Sequence, residues 1–253
     1  VSEILEGWLL EQSVSAKPHL RQGDLVLFRE SKDPMRMAGI VVTADCDLKN
    51  RKHAQLVTLV PLLTVQAILE RYLFLEACES LSSQLRSCLC KKYAIDLNED
   101  LLLIDVRLRE LLTRPEVPAI DSVAVRLILG LQEQITTASY RDLMKMIGGA
   151  PKSGGAFETQ LQKRGDLVIL PSAEILGVKG RIAWVRHLWQ VPVGEIALKT
   201  SDTKYCDGEF VARLDSPFRY RLTQVMAQVF SDIGLPDGKI EFKSEIEGVM
   251  GNA

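Results

Sequence analysis

The strongest constraint in this sequence is a near-duplication. "RQGDLVLF" at 21 to 28 returns as "KRGDLVIL" at 163 to 170, each with a basic residue ahead of Gly-Asp and four apolar residues behind it. Glycine tolerates positive φ and aspartate hydrogen-bonds nearby backbone amides, so Gly-Asp supplies a turn. The Leu/Val/Ile/Phe run that follows has the composition and length of a strand. After the first copy a polar stretch, "RESKDPMRMA" (29 to 38), leads into "GIVVTA" and "AQLVTLVPL". After the second, "PSAEILGVKG" (171 to 180) leads into "RIAWVRHLWQV" (181 to 191) and "EIALKT" (195 to 200). A strand, a loop and further short strands in the same order predict two small SH3-like β units, either as separate barrels or as two halves of one sheet.

Between the copies the apolar spacing changes to three- and four-residue steps. From Thr64 to Tyr93 there is neither Gly nor Pro, which predicts one long helix or two in tandem. Further helices are expected from Glu99 to Leu112 with Asn98 as cap, over Ser122 to Thr137, and from the "SYRD" capping box at 139 to 142. "GGAPKSGGAF" (148 to 157) is the Gly/Pro/Ser-rich boundary candidate. A last helix begins at Ser216-Pro217 and closes at Gly234 and Pro236. Its apolar face, Phe218, Leu222, Val225, Met226, Val229, Phe230 and Ile233, is expected to pack on the second β unit. The expected class is α+β: a β unit over 1–63, a helical insertion over 64–150, and a second β unit with the C-terminal helix over 151–253.

Composition narrows the function classes. With 47% hydrophobic and 25% charged residues the chain has the balance of a folded globular protein. Its net charge of -2 provides no general field for phosphate. The longest apolar runs are interrupted well short of the roughly 20 residues that cross a bilayer, so no membrane association is expected. The opening "VSEILEGWLLEQ" reads as a fragment boundary rather than a signal peptide, and the cytoplasm is the expected compartment. The 5 cysteines are odd in number and scattered, as free thiols in a reducing compartment would be. Cys88 and Cys90 lack the partners of a zinc set, so neither metal nor cofactor is expected.

The chemistry-bearing stretch is "VVTADCDL", which sets Asp45, Cys46 and Asp47 side by side at the end of a strand. Strand alternation would split the thiol from the carboxylates, and a turn would place it between two negative charges that raise its pKa. The structural reading is therefore preferred: Cys46 as a small buried residue, with Asp45 and Asp47 satisfying an Asx-type turn. If Cys46 is a nucleophile, His53 is its local base. "YCDGEF" repeats the pair as Cys206 and Asp207, which paired barrels could bring near Cys46. His187 is read as a packed core histidine in a strand. Basic residues in the last third, among them Arg186, Arg219 and Arg221, are interleaved with Trp184, Trp189 and Tyr220 and could meet nucleic acid, although neighbouring acids offset them.

"GDLVLF", "VVTADCDL", "LVTLVPL" and "SPFRYRLTQVMAQVFSDIGLP" together resemble uncharacterised bacterial proteins associated with antiviral defence and stress-response neighbourhoods. "GDLVLF", "RMAGIVVT" and "VPLLT" also resemble the opening strands of the MazF/PemK endoribonuclease toxins, which are SH3-like barrels. That resemblance aligns Arg36 with the family's catalytic Arg and Thr64 with its catalytic Thr; Met37 stands where the family has Pro. The expected function is a non-enzymatic protein-interaction or regulatory module of a bacterial accessory system, with another protein as partner. The alternatives are a diverged ribonuclease using Arg36 with Thr43 or Thr64, a hydrolase using Cys46, or a nucleic-acid-binding module.

Overall fold

The computed structural model of the chain describes residues 6–10, 19–50 and 55–231. His53 and the expected close of the last helix at Gly234 and Pro236 lie outside them. In chain order the elements are β1 (Trp8–Leu9), β2 (Asp24–Leu27), β3 (Ala38–Val41), α1 (Asp45–Lys49), β4 (Leu56–Leu63), α2 (Val65–Ile68), α3 (Phe74–Glu79), α4 (Ser82–Lys92), α5 (Leu101–Leu111), α6 (Ala119–Ile128), α7 (Thr137–Met146), α8 (Gly154–Gln162), β5 (Leu167–Ile169), β6 (Ile182–Trp184), β7 (Trp189–Pro192), β8 (Ile196–Ala197), β9 (Gly208–Leu214) and α9 (Ser216–Ser231). The fold is α+β.

Strands before and after the helices join one open sheet, ordered β1-β9-β2-β3-β4-β6-β5, with β7 also on β4 and β8 on β9. Pairing is antiparallel apart from β8 with β9. The sheet does not close into a barrel, and the two Gly-Asp strands hold unlike places in it. β2 is central and buried along its whole length, whereas β5 is an edge strand whose Ile169 is exposed. What the copies share is the fate of the aspartate. Asp24 and Asp166 are both buried, and each carboxylate meets an arginine.

Asp24 joins the first and last parts of the sheet. Its Oδ1 accepts from Arg213 Nε at 2.6 Å across the β2–β9 pair, and its Oδ2 accepts from the backbone N–H of Arg21 at 2.7 Å. β9, which composition did not single out as a strand, is thereby fastened beside β2. Around this pair Trp8, Leu25, Ile40, Val60, Leu214, Leu222 and Val229 form the core between the sheet and α9. On another part of the sheet the Trp189 indole lies against Gly39, where an added Cβ would come within 2.3 Å of the ring. Gly39 therefore leaves room for the Trp189 side chain to reach from β7, which pairs with β4, onto β3.

The segment expected as a single strand over 181–191 is broken. Ala183 pairs with Leu62 and Trp189 with Leu59, so six steps on one strand cover three on the other, and Arg186, His187 and Leu188 loop out of the ladder.

The helices between β4 and β5 have a core of their own, built on Leu73, Phe74, Leu85, Leu108, Val125, Tyr140 and Leu143. Phe74 stacks on Tyr140 at 4.5 Å, and Phe157 sits edge-on to both. Phe157 belongs to α8, so the glycines at 154 and 155 begin a helix capped by Ser153. The tandem helices expected from Thr64 are α2 and α3, continuous through a π turn at Leu69–Leu73, followed by α4. Glu70 in the π turn accepts from Ile135 N–H through its carbonyl and from Thr137 through its carboxylate, which ties α7 to the turn. Asp100 rather than Asn98 caps α5, and α6 ends earlier than expected, before Gly130 at φ +66°.

Removing one member of a buried ion pair leaves the other charge unpaired, so Asp24→Ala or Arg213→Ala should lower the unfolding free energy by about 3–5 kcal/mol. The double variant Asp24→Leu with Arg213→Leu should lose less than the sum of the single variants, as read by urea denaturation.

Candidate functional site

Stretches far apart in the chain line one cleft. Val42, Thr43, Ala44 and Asp47 come from the "VVTADCDL" corner and Met226 and Phe230 from α9, with Leu56, Thr58, Leu188 and Gln190 between them, around a cavity of about 470 Å³. Its polar floor is fixed by a relay. Thr43 Oγ1 accepts from Thr58 N–H at 2.7 Å, and the Thr58 hydroxyl accepts from Gln190 Nε2 at 3.2 Å.

The corner is neither a strand end nor a local Asx turn. Asp45, Cys46 and Asp47 open the short helix α1, where carboxylates in the first turn meet its amide dipoles favourably. Asp45 Oδ1 accepts from Gln22 N–H at 2.7 Å, bonding back to the residues ahead of β2 rather than to its own turn. Cys46 is exposed, contrary to the expectation of a buried thiol, because α1 turns it outward; its Sγ lies 3.7 Å from Asp47 Oδ1. The buried thiols are elsewhere: burial pushes Cys78 up to about 12, with Glu79 adding to the effect.

A second cleft of about 470 Å³ lies against the last turns of α9 and is lined by Arg164, Gly165, Asp166, Arg186, Gln228, Val229 and Ser231. Asp166 accepts from Arg164 Nε and Nη2 at 2.9 and 2.7 Å and from Trp184 Nε1 at 3.0 Å, and Arg186 Nε stands 3.4 Å away. Arg164 lies over the rings of Tyr72 and Trp184. Burial raises the pKa of Asp166, but these hydrogen bonds outweigh it and hold the carboxyl below its ordinary value. Two arginines around one carboxylate leave the cleft with an excess positive charge.

The looped-out residues stand between the two clefts, Leu188 facing the first and Arg186 the second. His187 sits in this loop rather than in a strand, exposed by area but with its ring centre 4.0 Å from that of Trp184. Desolvation lowers its pKa, as does Arg164, while Asp166 acts in the opposite sense.

The other candidates are dispersed. Cys206 and Asp207 precede β9, whose start pairs with the Leu27 end of β2, while Cys46 follows the end of β3 that pairs beside Leu25. The antiparallel register therefore sets the two cysteines at opposite ends of β2, not together. Cys206 Sγ bonds the carbonyl of Gly194. Arg36 is exposed in a 3₁₀ turn, and Thr64 caps α2 by accepting from Ala67 N–H. Thr64 lines a third groove with Met37, the neighbour of Arg36, whereas Thr43 faces the first cleft. Arg219 is half-buried beside Gly23, and Arg221 is exposed and bonds Gln224.

Leu188, Gln190 and Phe230 were not singled out as site residues. The available signal was Met226 and Phe230 at i, i+4 on a helix face assigned wholly to packing; Phe230 remains 40% exposed. Among the described residues no cluster of His, Cys, Asp or Glu could hold a metal ion, and no described helix is long and apolar enough to cross a membrane. No family model, curated protein or solved structure matches the chain.

The folded-state pKa values of His187 and Asp166 both lie below their unfolded values, so each residue contributes stability at neutral pH that is lost on acidification. The His187 share should decline as pH falls below about 6.5, and the Asp166 share below about 3.9. Denaturation midpoints should therefore drop between about pH 7 and pH 5 in the wild type and drop less in His187→Gln.

Proposed function

We propose that the protein is a non-enzymatic interaction module that holds a partner protein's segment across the two clefts beneath α9. The observation that carries the reading is the pairing of an apolar cleft with a cationic one on either side of a single three-residue loop. Leu188, Met226 and Phe230 offer an anchor pocket for an apolar side chain. Arg186 and Arg164 suit a neighbouring carboxylate, with Arg164 held in place by Asp166. Both clefts rest on strands of the one sheet, which suits recognition at a fixed spacing. Its small strands and Gly-Asp entries fit descent from SH3-like units, and the motifs at the first cleft fit an accessory protein of the bacterial defence-associated kind.

Exposed Cys46 favours a second reading, a thiol hydrolase working at the rim of the first cleft. Its chemistry would run through the Cys46 sulfur, which lies 3.7 Å from Asp47 Oδ1. The interaction reading needs no such step.

Selection from a displayed peptide library separates the two. The wild type should enrich peptides in which an apolar residue neighbours an acidic one. Phe230→Asp and Arg186→Glu should each weaken the selected peptides by about tenfold or more in fluorescence anisotropy, while Cys46→Ser and Arg36→Ala bind as wild type. Cleavage of the peptides that disappears in Cys46→Ser would instead establish the hydrolase.

A further inference from the structure

The helical segment presents a surface unrelated to the clefts. α5 packs inward through Ile104, Leu108 and Leu111, yet its opposite face carries Leu102, Leu103 and Val106 at 75%, 56% and 55% exposure, with Leu97 and Leu101 beside them. Large apolar side chains clustered on a solvated helix face are what an interface leaves when its partner is absent. The charges around the stripe identify the partner. Asp96, Glu99 and Asp100 gather at the N-terminal end of the helix, and Arg107, Arg109 and Arg114 outnumber Glu110 and Glu116 at its C-terminal end. Asp105 departs from this polarity but is neutralised by Arg86 at 2.7 Å, and Glu99 already reaches Arg107 at 2.8 Å in its own chain.

We propose that α5 is the interface of a two-fold homodimer in which the helices pair antiparallel. A two-fold axis level with Ile104 sets Leu102 against the partner's Val106, Leu103 level with the partner's Asp105, whose charge Arg86 already neutralises, and Glu99 against the partner's Arg109. Glu110 falls opposite the partner's Asn98, which can donate to it. Antiparallel packing also opposes the helix dipoles, and a self-complementary patch of this kind closes at two copies. A parallel pairing would instead stack acid on acid and base on base.

Sedimentation velocity of the full chain over a concentration series tests this. The wild type should sediment as a dimer. Leu102→Glu with Val106→Glu should be monomeric with its helical circular dichroism unchanged, since neither side chain belongs to the core. Arg109→Glu alone and Glu99→Arg alone should each dimerise about tenfold more weakly than wild type. An equimolar mixture of those two variants should associate more tightly than either, because every facing charge pair in the mixed dimer is again opposite in sign. A wild type that stays monomeric, a dimer indifferent to the Leu102 and Val106 changes, or a mixture no tighter than its components would overturn the proposal.

Discussion

The sheet depends on a charge pair buried where the chain's first and last parts meet. Asp24 and Arg213 are 1% and 7% exposed. Neither could be placed there without the other, because an isolated charge in that core would be several kcal/mol less stable than in water. Their contact aligns β9 beside β2, β9 carries β1 and β8, and α9 follows β9 directly onto the core. A hydrophobic pairing of β2 and β9 could slip in register; a buried carboxylate with one matching guanidinium tolerates far less.

From that register the clefts follow. α9 crosses the sheet with Leu222, Val225 and Val229 turned inward, so Met226 and Phe230 fall at the border of the core, where they wall a cleft instead of filling one. The three residues looped out between β6 and β7 then divide the space beneath the helix. One side receives the polar relay of Thr43, Thr58 and Gln190, and the other the arginines gathered on Asp166. Neither the loop nor the helix would define the clefts alone.

The helices between β4 and β5 contribute differently. They carry a separate core and meet the sheet through a small cluster in which Leu63, Ile68, Ile182 and Trp184 pack together, with Tyr72 edge-on to Trp184 at 5.3 Å. Arg164, lying over both aromatic rings while its guanidinium holds Asp166, links this seam to the cationic cleft. α5 contributes Ile104, Leu108 and Leu111 to the helical segment's core and leaves its other face exposed.

Much of the local structure was legible in the residues themselves. Gly-Asp followed by apolar runs marked β2 and β5, the three- and four-residue spacing marked the helices, and Ser216-Pro217 marked the start of α9. These are short-range effects of turn chemistry, capping and periodicity, which neighbouring residues decide among themselves. Composition did not reveal β9, the break at Arg186 to Leu188, or the outward turn of Cys46. Nor did it reveal that both aspartates of the Gly-Asp pairs would be buried against arginines, one of them 189 positions away. Those features depend on which strands become neighbours and in what register. That choice is made by long-range burial and charge pairing, which no local stretch of sequence contains.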